Sequence, residues 1–138
     1  MSKIAVVGTG YVGLANAVLL AQHNQVVAHD INAERVALIN NGETTFEDPE
    51  LALFLKEKPL DLVATTEPGI AYDGAEFVVV ATPTNYDPDT NYFDTGSVES
   101  VVADVTRIAP QATVIIKSTV PVGFTRELRQ KLQNDKII

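Results

Sequence analysis

The sequence predicts an α/β fold: a doubly wound, mainly parallel sheet with helices on both faces. Three observations predict it. Short runs rich in Val and Ile alternate with segments of helical period. The runs show little polar alternation, which suits strands covered on both sides. Strands separated by helices pair in parallel through right-handed crossovers. Together these give a layered sheet of the Rossmann type.

In order, the first run is Ile4–Val7, and after it Leu14, Val18 and Ala21 recur at helical spacing. The second run, Val26–Ala28, leads to Asp30. Asp48-Pro49-Glu50 reads as a helix start: Asp caps, Pro fits the first helical position, and Glu favours the positive end. Leu51, Phe54 and Leu55 supply that helix's buried stripe. Leu62–Ala64 and Phe77–Ala81 are the third and fourth runs. The segment from Pro83 to Thr95, PTNYDPDTNYFDT, reads as a long polar loop without regular structure, functional or mobile rather than idle. Val98, Val101, Val102, Val105 and Ile108 make the clearest helical stripe, with Pro110 just past it. Val114–Ile116 is the fifth run, and Phe124, Leu128 and Leu132 the last stripe, mixed with Arg126, Arg129 and Lys131. Lys136-Ile137-Ile138 reads as a strand beginning where the chain stops, so residues 1–138 are expected to be one domain cut from a longer protein.

Composition narrows the chemistry. A net charge of −8 over 138 residues argues against nucleic acid, whose phosphates need clustered Lys and Arg. The absence of cysteine removes disulfides, thiolate metal sites and a thiol nucleophile from this chain. With only His23 and His29, no metal is expected. Asp87, Asp89 and Asp94 cluster in the long loop, but the EF-hand spacing and its glycine are missing. The start, MSKIAVVG, lacks a signal-peptide layout, and the apolar run meets glycine too soon to span a bilayer. A soluble, cytoplasmic protein without a membrane partner is expected.

The glycines carry the first functional signal. Gly8, Gly10 and Gly13 fall between the first run and its helix. A lone G-x-G-x-x-G is weak, but the context strengthens it. Gly8 follows the run directly, as a tight turn requires; Gly10 lets a pyrophosphate approach the backbone; Gly13 lets the helix lie against the strand. The helix's positive end and its unpaired N–H groups then face the phosphates. Asp30 ends the second run 17 residues after Gly13. A carboxylate there accepts two hydrogen bonds from a ribose and repels a 2′-phosphate, which favours NAD over NADP. An N-cap for the following helix is the plain alternative. Arg35 either packs along the adenosine side or sits in solvent.

Two more strand ends point to the same cleft, because ligands bind beyond the carboxyl ends of parallel strands. The fourth run leads to Thr82 and Thr84, the fifth to Ser118 and Thr119. Each threonine either hydrogen-bonds a ligand or caps a turn. His23 and His29 read as surface or strand-flank residues rather than bases. Tyr86, Tyr92 and Phe93 are candidates to close over the site or to pack at an interface.

GTGYVGL, VVAHDI, VVVATPTNYDPDTNYFDT and IIKSTVPVGFT together resemble the amino-terminal domain of the bacterial UDP-glucose 6-dehydrogenase family, over essentially the whole chain. The resemblance implies oxidation of the C6 alcohol of UDP-glucose to a carboxylate with two NAD+. It implies two α/β domains joined by a long central helix, forming a homodimer or higher oligomer. It places Gly8, Gly10, Tyr11, Val12 and Gly13 at the pyrophosphate, Asp30 at the adenine ribose with Arg35 nearby, and Thr84 along the cofactor. Thr119 is implied as the catalytic residue, beside the nicotinamide, positioning a water or the C6 oxygen. The family's nucleophilic cysteine, its lysine and its acid–base carboxylates lie downstream of anything present here. The second oxidation needs a thiolate to add to the aldehyde, so this chain by itself is expected to bind NAD and turn over nothing. Alternatives are a relative acting on GDP-mannose or UDP-N-acetylmannosamine, a non-catalytic NAD-sensing module and, more distantly, a methyltransferase.

Overall fold

A computed structural model describes residues 2–90 and 92–138, the side chains of Tyr86, Tyr92 and Phe93 excepted. The expectation about those three rings lies outside the described residues.

The five expected runs form one parallel sheet: β1 (Lys3–Val7), β2 (Gln25–His29), β3 (Leu62–Thr65), β4 (Phe77–Val80) and β7 (Thr113–Ile116). Their spatial order is β3-β2-β1-β4-β7. Alternate strand residues are buried on opposite faces, which is why the runs lack polar alternation. Ala5, Val7, Val27, Val78, Val80 and Val114 enter one core cluster. Ile4, Val6, Val26 and Val79 enter another.

Helices cover both faces. On one side lie α1 (Tyr11–Leu20), α2 (Ala33–Asn40) and α3 (Pro49–Glu57). Leu14 and Val18 of α1, Ile39 of α2 and Phe54 of α3 meet over Ala28 and Ala64. On the other lie α4 (Pro68–Tyr72), α5 (Gly96–Ile108) and α6 (Phe124–Leu132). Val98, Val102 and Val105 of α5, Tyr72 of α4 and Leu128 of α6 close that core. Asp48 caps α3 as its sequence predicts, accepting a hydrogen bond from Leu51 N at 3.0 Å.

Beyond β7, Ile137 forms a parallel bridge to Val114 and is fully buried. Val114 N donates to the Lys136 carbonyl, and Ile116 N to that of Ile138. The last residues therefore run parallel to the β7 edge and hydrogen-bond to it.

The segment from Pro83 to Thr95 differs from expectation. It holds a two-stranded antiparallel ribbon, β5 (Asn85–Asp87) with β6 (Tyr92–Asp94). The reason is turn chemistry: Asp87 Oδ1 accepts from Asp89 N at 3.0 Å across Pro88, which reverses the chain.

Candidate functional site

β1 pairs with β2 on one side and β4 on the other. The chain thus leaves β1 in one direction and returns beside it from the other, opening a crevice beyond the strands' carboxyl ends. A cleft of about 920 Å³ lies there.

Its floor is the turn from β1 to α1. Gly8 has φ +93°, and a Cβ on it would stand 2.6 Å from the Ala81 carbonyl oxygen. A Cβ on Gly13 would fall 1.7 Å from the Gly8 carbonyl oxygen. That contact is what lets α1 start tight against the strand. Gly10, by contrast, faces open space, with nothing within 4 Å of a Cβ position. The first hydrogen bond of α1 runs from Leu14 N to Gly10 O at 3.0 Å, and no described side chain caps the helix. The N–H groups of Tyr11, Val12 and Gly13 come before that bond, and the positive helix end points at the cleft.

Asp30 stands on the opposite wall, 7% exposed. Its Oδ2 accepts from Thr9 Oγ1 at 2.6 Å and from Thr9 N at 3.0 Å. Its Oδ1 accepts from Asn32 N at 2.9 Å. Arg35 Nη1 is 3.6 Å from Oδ2. Burial disfavours the charged carboxylate, but the hydrogen bonds from Thr9 and Asn32 and the Arg35 charge outweigh it. The carboxyl is held below its ordinary range and is ionised at neutral pH. The cap of α2 is Asn32, whose side chain accepts from Glu34 N and Arg35 N. That leaves Asp30 free of the capping role.

The far wall comes from the ends of β4 and β7. Thr84 Oγ1 donates to the Thr119 carbonyl at 2.7 Å, and Ser118 Oγ to that of Thr82 at 2.8 Å. Ser97 Oγ, at the start of α5, donates to the Pro83 carbonyl at 2.7 Å. These cross-braces fix two otherwise irregular turns against each other. Thr84 ties two turns together, and it also lines the cleft.

Of the residues singled out in the sequence, the structure brings Gly8, Gly10, Tyr11, Val12, Asp30, Arg35, Thr84 and Thr119 to one cleft. Gly13 lies beneath it. Sequence reasoning missed Thr9, which is fully buried and joins the glycine turn to Asp30. Lys117 and Asp94 also line the cleft and were not singled out for it. His23 is exposed. His29 is not a surface residue: it is 6% exposed, Nδ1 donates to the Thr65 carbonyl at 3.1 Å, and Tyr72 stacks edge-on at 5.8 Å. It is the last residue of β2, with one nitrogen already committed. Among the described residues, no group of three or more His, Cys, Asp or Glu could hold a metal ion. Nor is any described helix long and apolar enough to cross a membrane.

A doubly wound sheet with a bare, positive helix end facing an ionised carboxylate across one crevice defines a dinucleotide-binding domain of the dehydrogenase type. The chain belongs to the UDP-glucose/GDP-mannose dehydrogenase family and is its NAD binding domain, a match that runs over residues 2–137. A UDP-glucose 6-dehydrogenase of Streptococcus pneumoniae is 45% identical over 136 residues, covering 99% of this chain and 34% of the relative. One from Campylobacter jejuni is 43% identical over 138 residues, covering 99% and 35%. Among solved structures, a UDP-D-ManNAc dehydrogenase from Pyrococcus horikoshii superposes with a TM-score of 0.85 at 30% identity, over 95% of this chain and 32% of that one. A UDP-glucose dehydrogenase from Pyrobaculum islandicum gives 0.82 at 28% identity, over 96% and 32%. The chain thus spans about a third of the length of the curated relatives it matches.

Proposed function

We propose that this chain is the cofactor-binding part of an enzyme that oxidises UDP-glucose to UDP-glucuronate with two NAD+. The observation that carries the cofactor half is the crevice itself: bare helix N–H groups on its floor and the Asp30 carboxylate on its wall. The residues present fit the cofactor. Gly10 leaves open the space where a diphosphate would approach the N–H groups, and the ionised Asp30 suits two ribose hydroxyls while repelling a 2′-phosphate. Tyr11 and Val12 flank the diphosphate, Arg35 neutralises part of the Asp30 charge, and Thr84 holds the turn that borders the far end. Thr119 stands at that far end and is assigned the positioning of a water or the C6 oxygen.

The substrate half rests on relatedness. Proteins named for UDP-glucose are 43–45% identical to this chain, against 36% for a UDP-N-acetyl-D-mannosamine dehydrogenase of Escherichia coli. NAD held in this crevice would supply the hydride acceptor for the substrate carbon. The thiolate step of the second oxidation is assigned to residues outside these 138, since the chain holds no cysteine. A homodimeric, cytoplasmic enzyme completes the reading.

Calorimetry with NAD+ and NADP+ tests it on this chain and on Asp30→Ala. The chain is expected to prefer NAD+ by at least tenfold, and the variant to lose that preference. Equal affinity of the unaltered chain for both cofactors, or an unchanged NAD+ affinity in the variant, removes the role given to Asp30.

A further inference from the structure

We propose that Thr9 is a positioning residue for the ribose carboxylate: its buried hydroxyl fixes Asp30 in the orientation that recognises the adenosine ribose. Thr9 lies between the two glycines that form the floor of the cleft and borders that cleft, yet it is fully buried. From there Oγ1 and the main-chain N–H converge on one oxygen of Asp30, at 2.6 and 3.0 Å. Two donors from a single residue pin both the position of that oxygen and the rotation of the carboxyl plane. The other oxygen takes one described hydrogen bond, from Asn32 N. A carboxylate oxygen has two lone pairs, so this one retains acceptor capacity for a ligand hydroxyl.

The turn that carries Thr9 is itself anchored, since Thr45 Oγ1 donates to the Thr9 carbonyl. Thr9 therefore joins the diphosphate floor to the ribose wall through hydrogen bonds on both sides. Replacing its hydroxyl by a methyl group of similar volume deprives a nearly buried charge of its shortest bond. It frees the carboxyl to rotate toward Arg35, 3.6 Å away. Hydrogen bonds to a charged group are about twice as strong as neutral ones, so the loss is felt at Asp30 before it is felt anywhere else.

This inference rests on the ribose role proposed for Asp30, and its test separates the two. NAD+ and a 2′-deoxyadenosine analogue of NAD+ are titrated calorimetrically into the chain, Thr9→Val, Thr9→Ser, Asp30→Ala and the Thr9→Val/Asp30→Ala double variant. Thr9→Val is expected to weaken NAD+ about tenfold, while Thr9→Ser keeps affinity within about threefold. The analogue is expected to bind Thr9→Val and the unaltered chain alike, and the double variant to bind NAD+ no more weakly than Asp30→Ala. If Thr9→Val does not fold, Thr9→Ala, which replaces misfit by a small void, takes its place. Equal weakening of NAD+ and analogue, additive loss in the double variant, or no loss in Thr9→Val overturns the inference. An Asp30→Ala variant that binds NAD+ normally overturns the ribose reading instead.

Discussion

Gly10 and Gly13 sit three residues apart and do different work. A Cβ on Gly13 collides with the Gly8 carbonyl, which belongs to the backbone and cannot step aside without moving the strand end. Gly13→Ala is therefore expected to cost about 3 kcal/mol or more, from overpacking. Thermal unfolding should show a drop of roughly 10 °C. Gly10→Ala meets no neighbour and needs no unusual backbone, since φ is −74°. Its stability should stay within about 1 kcal/mol of the unaltered chain, while NAD+ affinity falls at least tenfold. Loss of stability without loss of binding in Gly10→Ala would assign both glycines to the fold alone. The glycines and Asp30 were legible because each obeys a spacing rule along the chain. Thr9 was not, because its partner lies 21 residues away and a threonine in a turn looks like any other. Tyr72 belongs to the same class: burial, and behind it the negative charge of Asp104, push its phenol well above the ordinary range, which no local pattern announces.

Among the elements, those with a long stripe or a clear start were readable. The α5 stripe of valines and the Asp48-Pro49 start of α3 both stand where the sequence puts them. Asp48→Ala is expected to lower stability by about 1 kcal/mol, through the lost bond to Leu51 N. Urea unfolding checks this, and NAD+ affinity should not change, because α3 lies outside the cleft. A stability equal to that of the unaltered chain would mean water replaces the cap at no cost. One helix, α4, was missed, and α2 was expected only as the helix following Asp30. The helix α2 buries only Ile39, yet Asn32 three residues before Arg35 was a usable cap signal. The helix α4 has five residues, too few for a period, and only Pro68 at its first turn marks it. The β5–β6 ribbon was missed because its strands are three residues each and its turn, Asp87-Pro88-Asp89, was read as polarity rather than as geometry.

For the whole molecule, alternating strands and helices with right-handed crossovers predict a parallel, doubly wound sheet, and the quoted motifs added the family. What periodicity does not contain is how the strand-end turns brace one another. Thr84 with Thr119, and Ser118 with Thr82, are contacts across 35 and 36 residues. They convert two irregular turns into a fixed wall opposite the glycine floor. We propose that the two walls together make the cleft an NAD site. The most direct test is a crystal structure of the chain soaked with NAD+. The account predicts the diphosphate against the N–H groups of Gly10 to Gly13, with the adenine ribose hydroxyls on Asp30. A diphosphate bound elsewhere, or a ribose that leaves Asp30 untouched while Thr9 still holds it, would contradict the account.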